Sequence, residues 1–541
     1  MMKSCLSVLL FLGIALSSCG RLNKKEPKPP QQVLRVNIFS EPPTMDPRKG
    51  SEVIGSFFHF LLFEGLTRLN PDGSIRLAQA ERFDLSQDKK RYTFHLRESL
   101  WSDGTLVTAY DFEKSWKDIL DPRFPAANAQ LFYPIKNANA AKKGLVPLSE
   151  VGIRALDERT LFVELDHPTP YFLELISFCV FFPVNHRIDE TDPRWAYNTG
   201  PLFTSNGYFV LKKWRHHGEI VLEKNPRYWN PKGVHLDEIR VSMVDNETTV
   251  LQMFEKGELD IVGQFLSPLP IDALPKLKAA GRLNVYPTSG TTFCAFNTAT
   301  FPFSNKNLRK AFAYAMDRSE IVSNITQLDE IPALGAIPPI LKKNRNRAFF
   351  KDYDAKGAKE FLEQGLKELG VKAEELHLTY LYSTSELEHK VAQALQQQWQ
   401  KTLGIHVHLE NSDHKILLDR LTKRNYMMAQ TLWYAQYNDQ MNLLERYKHK
   451  ENVKNYAGWE NLKFVSLLDL SFLAEDPKER LRILEQAEEI FMDELPIAPI
   501  FHKNAIHLLN PSIKHAAFTP IGNLCYEQLA LDQDSKERSK R

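Results

Sequence analysis

The stretch Tyr92–Leu120, YTFHLRESLWSDGTLVTAYDFEKSWKDIL, decides the fold class. Tyr92, Phe94 and Leu96 alternate with polar residues, the period of a strand with one buried face. Ser102-Asp103-Gly104 breaks the run with turn chemistry, since Gly takes positive φ at little cost and Asp bonds nearby backbone. Thr108 with Asp111 three residues on forms a capping box. Phe112, Trp116, Ile119 and Leu120 then fall at helical spacing and need a larger body to bury them. Strand, turn and capped helix in about thirty residues predict an α/β or α+β domain.

Working outward, the same grammar repeats. Leu34–Ile38 alternates as a strand, and Leu161–Leu165 is a further strand, followed by an apolar helical stretch over Pro168–Phe182. Asn246 caps a helix carrying Val250, Leu251 and Phe254, with Gly257 as its stop. Leu308–Ile321 repeats apolar residues at three and four, which predicts one helix. Leu378–Tyr382, Leu387–Leu403 and Ile405–Leu409 read as strand, helix and strand, a βαβ unit with a parallel pair. Asp476, Pro477 and Glu479 open a helix that runs to Pro496, and Pro499–Leu508 is a returning strand.

A chain of 541 residues is too long for one core and predicts two or three domains. With 43% hydrophobic and 25% charged residues the composition is ordinary and globular, and a formal net charge of +2 gives no reason to expect nucleic acid as partner. Lys3 precedes an apolar run, Leu6–Ala15, too short for a membrane span and suited to a secretory signal. Leu16-Ser17-Ser18-Cys19 closes it and resembles the lipobox of bacterial lipoproteins, which implies cleavage after Ser18 and lipidation of Cys19. Residues 19–32 then form a polar, proline-containing tether, and 534–541 a solvated tail. Cys179, Cys294 and Cys525 lack metal-ligand spacing and read as buried or free thiols.

The motifs FHLR, WSDGT and TAYDFxxSW, together with Met45-Asp46-Pro47, Phe63-Glu64-Gly65-Leu66, Asn70-Pro71-Asp72-Gly73 and Asn225-Pro226-Arg227-Tyr228-Trp229, resemble the family of solute-binding proteins that feed ABC importers of oligopeptides, dipeptides and nickel. The match runs in order from Leu34 to about Leu531. It implies an α/β, two-lobe periplasmic-binding-protein-like fold with an extra subdomain in the first lobe and a ligand cleft between lobes. On that pattern residues 33–69, 190–287 and 495–533 form the first lobe, 70–189 its inserted subdomain and 288–494 the second lobe. The expected protein is a monomeric lipoprotein outside the cytoplasmic membrane. It captures peptides by lobe closure and delivers them to ABC permease and ATPase subunits, with no cofactor and no catalytic step.

The resemblance places ligand contacts at Trp433, Tyr434, Ala435, Gln436, Tyr437, Asn438 and Asp439. In peptide-binding relatives the segment reads roughly W-x-(A/G)-D-Y, and its Asp takes the peptide ammonium. Here that position is Gln436. A neutral amide acceptor contributes about 0.5–1.5 kcal/mol net, a charged one about 1.5–3. Asp439 is an alternative acceptor, and Gln430 stands where close relatives carry an Arg, so both ligand ends are read differently from a standard oligopeptide. Peptides with an altered or blocked amino end, cell-wall fragments included, fit that pattern. Ser51, Glu52 and Val53 align with family positions beside the ligand, Glu52 as a second candidate carboxylate, and His414 with an aromatic pocket residue.

Two rivals follow from the residues. Metal or metal-chelate binding, nickel included, would draw on His406 and His408 or on His216-His217, although neither pair has a third ligand at convincing spacing. A lipid-anchored hydrolase would need a nucleophile elbow, a zinc-protease motif or a phosphate loop, and the sequence carries no such motif.

Overall fold

Tyr92–Leu120 folds as its pattern predicts. The strand Arg91–Leu96 buries Tyr92, Phe94 and Leu96, and the helix Ala109–Leu120 buries Phe112, Trp116, Ile119 and Leu120 completely. The buried Asp111 carboxylate holds the junction together. Its Oδ2 accepts the Thr108 backbone N–H at 2.7 Å and the Trp101 indole N–H at 3.2 Å, and its Oδ1 accepts the His186 backbone N–H at 3.0 Å. The computed structural model describes residues 31–50, 53–263, 266–342 and 345–532.

The strand belongs to a four-stranded antiparallel sheet ordered Ala80–Leu85, Arg91–Leu96, Thr160–Glu164, Ile153–Asp157. A second, larger sheet has eleven strands among the described residues. On one side run Phe209–Arg215, Glu219–Lys224, Glu238–Met243, Val33–Ile38 and Ile261–Gly263; on the other Met428–Tyr434, Leu378–Ser383 and Val407–Ser412. Between them lie two long antiparallel strands, Asn284–Phe296 and Ile497–Leu509. Ile331–Pro332 adds to the second of these.

The βαβ expectation holds. Leu378–Ser383 and Val407–Ser412 pair in parallel across the helix Glu386–Leu403, which Ser385 caps and Gly404, at φ 71°, ends. The helices Glu247–Glu255 and Pro477–Glu494 are capped by the Asn246 and Asp476 side chains as expected. The returning strand, Ile497–Leu509, is longer than its sequence pattern suggested and is buried along nearly all its length.

Two helix expectations are corrected. Pro168–Phe182 is not one helix but a short turn of helix, Phe172–Leu175, and a 3₁₀ turn, Cys179–Phe181. Its apolar residues are buried on all sides, so packing rather than one amphipathic stripe sets its path. Leu308–Ile321 is likewise divided, into Lys306–Tyr314 and Arg318–Ile321. Asp317 re-caps the second piece by accepting the Glu320 backbone N–H. Cys179, Cys294 and Cys525 are free and buried.

One polar contact ties residue 171 to the region after the strand Met428–Tyr434. The Tyr171 and Tyr437 rings stack at 4.9 Å, nearly parallel, and both hydroxyls donate to Glu445, at 3.2 and 2.8 Å. Burial pushes the Glu445 carboxyl up to about 7, against the pull of the two phenols and of Lys448, while Asp439 adds to the rise. Burial also pushes Glu174 up to about 7.

Two outcomes follow. Asp111→Ala leaves buried N–H donors of three residues without their acceptor and should cost about 3 kcal/mol in urea unfolding. For Glu445, a carboxyl raised on folding contributes stability that is complete below pH 4.5 and lost as pH rises through about 7. Glu445→Gln should therefore flatten the fall in unfolding free energy across that window, by on the order of 1–2 kcal/mol once partial solvent access is discounted. Glu174 supplies a remaining slope of the same sign.

Candidate functional site

The two long strands do not pair evenly. Asn284–Pro287 lie opposite His507–Asn504, and Thr291–Ala295 opposite His502–Ile497, with a register shift between. Proline lacks an N–H for the ladder, and the Thr288 side chain takes over locally: its hydroxyl donates to the Lys503 carbonyl at 2.7 Å and lies 3.3 Å from the Gly290 N–H, which donates to it. Gly290 pairs with Tyr434 of the neighbouring strand. A Cβ at Gly290 would stand 2.3 Å from the Tyr434 ring, so only glycine lets that ring lie on the backbone.

Alternation along Met428–Tyr434 separates two faces. Ala429 and Trp433 point to the buried side, Trp433 being 2% exposed. Gln430, Leu432 and Tyr434 share the other face, where Leu432 is 40% exposed and Tyr434 half-buried. Burial pushes the Tyr434 phenol up to about 12. The accessible side chains here are thus Leu432 and Tyr434 on one face and the half-buried Thr431 on the other, with the half-buried Gln436 beyond the strand, whereas Trp433 and Ala435 are packed away.

Past the strand, the expected ligand residues are largely occupied. The Gln436 backbone N–H donates to Asn442 Oδ1 at 3.2 Å, and the Asn438 amide donates to the Gly73 carbonyl at 3.3 Å. Tyr437 is spent on Tyr171 and Glu445. Asp439, the alternative acceptor for a ligand amine, is held by Arg480, which donates to both its oxygens at 2.7 and 2.8 Å, and the Met441 N–H donates to it as well. A carboxylate held in a bidentate guanidinium fork is already charge-balanced.

The remaining expectations fall elsewhere. Ser51 and Glu52 lie outside the described residues, as does Cys19. Val53 begins the helix Val53–Leu62 and lines an apolar groove with Phe57, Phe60, Phe518 and Tyr526, formed without residues 430–439. His414 is exposed at the start of the helix His414–Thr422, near enough to Glu388 to act on its charge. His216 and His217 both turn to Glu41, at 2.7 and 3.3 Å, and His406 and His408 are exposed. Among the described residues no cluster of three or more metal-capable side chains occurs, and no helix is long and apolar enough to cross a membrane.

Three charged residues that sequence reading passed over gather on Tyr434. Lys503 Nζ lies 3.4 Å from Glu330 Oε1, with both side chains nearly sealed from solvent. Glu388 accepts a hydrogen bond from the Gln430 amide, and Tyr380 donates to the same Gln430 at 3.1 Å. All three charges act on the Tyr434 phenol. Burial drives the Glu388 carboxyl upward, with Glu330 adding to the rise, while Lys503 lowers it. Lys503 is pushed up overall, burial opposed by Glu330, Tyr434 and Glu388. The available signal was Lys503 itself, the lysine in a polar His502-Lys503-Asn504 break between the apolar run IAPIF and the residues that follow. Glu388 hides as an ordinary first-turn glutamate, three residues after the Ser385 cap.

Residues 74–455 match the family described as Bacterial extracellular solute-binding proteins, family 5 Middle. The oligopeptide-binding protein OppA of Bacillus subtilis is 40% identical over 510 residues, covering 92% of this chain and 93% of that one. The structure of Haemophilus influenzae OppA in complex with the peptide RPPGFSPFR is similar at TM-score 0.81 and 27% identity, over 93% of this chain and 99% of that one. The Escherichia coli murein tripeptide binding protein MppA is similar at TM-score 0.80 and 28% identity, over 93% and 98%. With its two-lobe α/β architecture, the chain belongs to family 5 of the bacterial extracellular solute-binding proteins.

Proposed function

We propose that this protein captures peptides outside the cytoplasmic membrane and hands them to the permease and ATPase subunits of an ABC importer. The observation that carries the reading is the likeness, over more than nine-tenths of the chain, to an oligopeptide-binding protein and to a peptide-bound structure. The geometry is compatible with it. A strand whose accessible face carries Leu432 and Tyr434 pairs with Asn284–Phe296, one of the two crossing strands, so an extended ligand can be read by backbone groups and a few side chains.

In this reading residues 33–69, 190–287 and 495–533 form one lobe, 70–189 its inserted subdomain and 288–494 the second lobe. Two features support the division: the four-stranded sheet lies within residues 80–164, and the chain crosses between the halves of the large sheet at Asn284–Phe296 and Ile497–Leu509. Closure bends the crossing strands near Thr288–Gly290, where their ladder is interrupted. Cys19 carries the lipid anchor, the globular part acts as a monomer, and no step of the cycle requires catalysis by this chain.

The likeness to a murein tripeptide binding protein, together with neutral Gln430 and Gln436, favours including cell-wall peptides among the ligands. The test is mass spectrometry of small molecules released from the purified protein, followed by calorimetric titration of the stripped protein. Titrants are a mixed pool of three- to five-residue peptides, a murein tripeptide and nickel ion. Peptide masses in the first experiment and saturable peptide binding in the second are expected. Nickel binding without peptide binding would replace this reading with the metal one.

A further inference from the structure

The floor beneath Tyr434 holds an unbalanced set of charges. Glu330 and Glu388 approach it from two different segments, and Lys503 supplies one cation. Removing a carboxylate from water costs several kcal/mol unless charge and hydrogen bonds replace the lost solvation. Here Lys503 serves Glu330 by charge alone. Neither Glu330 oxygen accepts a hydrogen bond from any described residue, and its side chain is fully buried. Nearby, beside Gly290, the Ser289 hydroxyl is buried without a hydrogen-bond partner among the described residues.

Access to this floor is one-sided. Glu330 and Lys503 are nearly closed off, whereas Glu388 and Tyr434 keep part of their surface open, on the face that also exposes Leu432. Glu388, bonded to Gln430 on the strand of Leu432, therefore meets the same space as the candidate ligand path, whereas Glu330 lies behind it. Gln430 donates to Glu388 but carries no charge, and His414, near Glu388, is a solvated imidazole. Arg480 is committed to Asp439.

We propose that Glu388, backed by Glu330 and held in place by Gln430, receives a cationic alkylammonium group of the bound peptide. This inference rests on the peptide-capture reading and makes it specific: an amine of the ligand is selected from the floor beneath Tyr434. A terminal amine and a lysine side chain present the same chemistry, and the test separates them.

Alanine peptides of three and five residues are titrated calorimetrically in three forms: free at the amino end, N-acetylated, and N-acetylated with a central lysine. The purified protein and its Glu388→Gln and Glu330→Gln variants are compared, with thermal unfolding as the check on folding. The unaltered protein should prefer at least one cation-bearing form over the neutral acetylated peptide by about 10- to 100-fold. Preference for the first form identifies the terminal amine, preference for the lysine form the side chain. Glu388→Gln should abolish the preference while leaving neutral-peptide affinity within a few fold. A merely structural role would weaken all three forms alike, and that result overturns the proposal. So does a preference that survives Glu388→Gln, or its absence in the unaltered protein. If no peptide of any form binds the unaltered protein, the peptide-capture reading itself fails, and this inference with it.

Discussion

The antiparallel pair Asn284–Phe296 and Ile497–Leu509 is the constraint on which the rest depends. In the large sheet, every strand-to-strand path between the Val33–Ile38 side and the Leu378–Ser383 side passes through these two strands. Their ladder is firm at both ends and interrupted at Thr288, Ser289 and Gly290, where Pro287 removes a donor and Gly290 removes a side chain. A gap in the ladder, with a second register shift close by at Thr292–Phe293, concentrates bending at a known place. The same three residues touch the candidate site: Gly290 carries the Tyr434 ring, and Thr288 bonds the backbone of Lys503.

Much of the fold was legible because it is written in local chemistry. Thr108 with Asp111, Asn246 with Gly257 and Asp476 with Pro477 each state a helix boundary within a few residues, and the structure places boundaries there. The failures occur where the deciding partner is distant. Pro168–Phe182 is apolar enough for a helix, but its rings are divided among several neighbours, Phe181 stacking on Phe132 and Phe182 meeting Phe60. No single stripe could satisfy them. Leu308–Ile321 keeps helical spacing through its break, and only the buried Arg318, donating to the Pro499 carbonyl, explains why the chain restarts at Asp317.

The site was legible in part. Resemblance marked the segment around Trp433, but a resemblance marks a stretch and not a face. Strand alternation assigns Trp433 to the packed side and Leu432 and Tyr434 to the open one. Asp439 looked available because Arg480, its partner, lies 41 residues away on another helix. The charges under Tyr434 come from residues 330, 388 and 503, segments that the crossing strands alone bring together, so no window of sequence contains the cluster.

Placing the charge at the floor rather than past the strand has an energetic logic. Two unit charges 4 Å apart interact by about 1 kcal/mol in bulk water and about 4 kcal/mol at the effective dielectric typical of pairs near a protein surface. A carboxylate beyond the strand, partly solvated, would gain toward the smaller figure. One on the floor gains toward the larger but suffers desolvation whenever it is unpaired. Lys503 offsets that cost for Glu330 without neutralising Glu388, and the upward drive on the Glu388 carboxyl gives the same account in protonation terms: while unpaired, it is held toward the neutral form. An arriving ammonium would draw it back to the ionised form, so charge pairing and proton release would accompany ligand entry as one event. The segment past the strand is freed for another task, because Tyr437 and Asp439 are then available to fasten Tyr171 and Arg480. Selection from the floor and fastening beyond the strand are in this way assigned to different residues, which is why Gln436 can be neutral without leaving the site featureless.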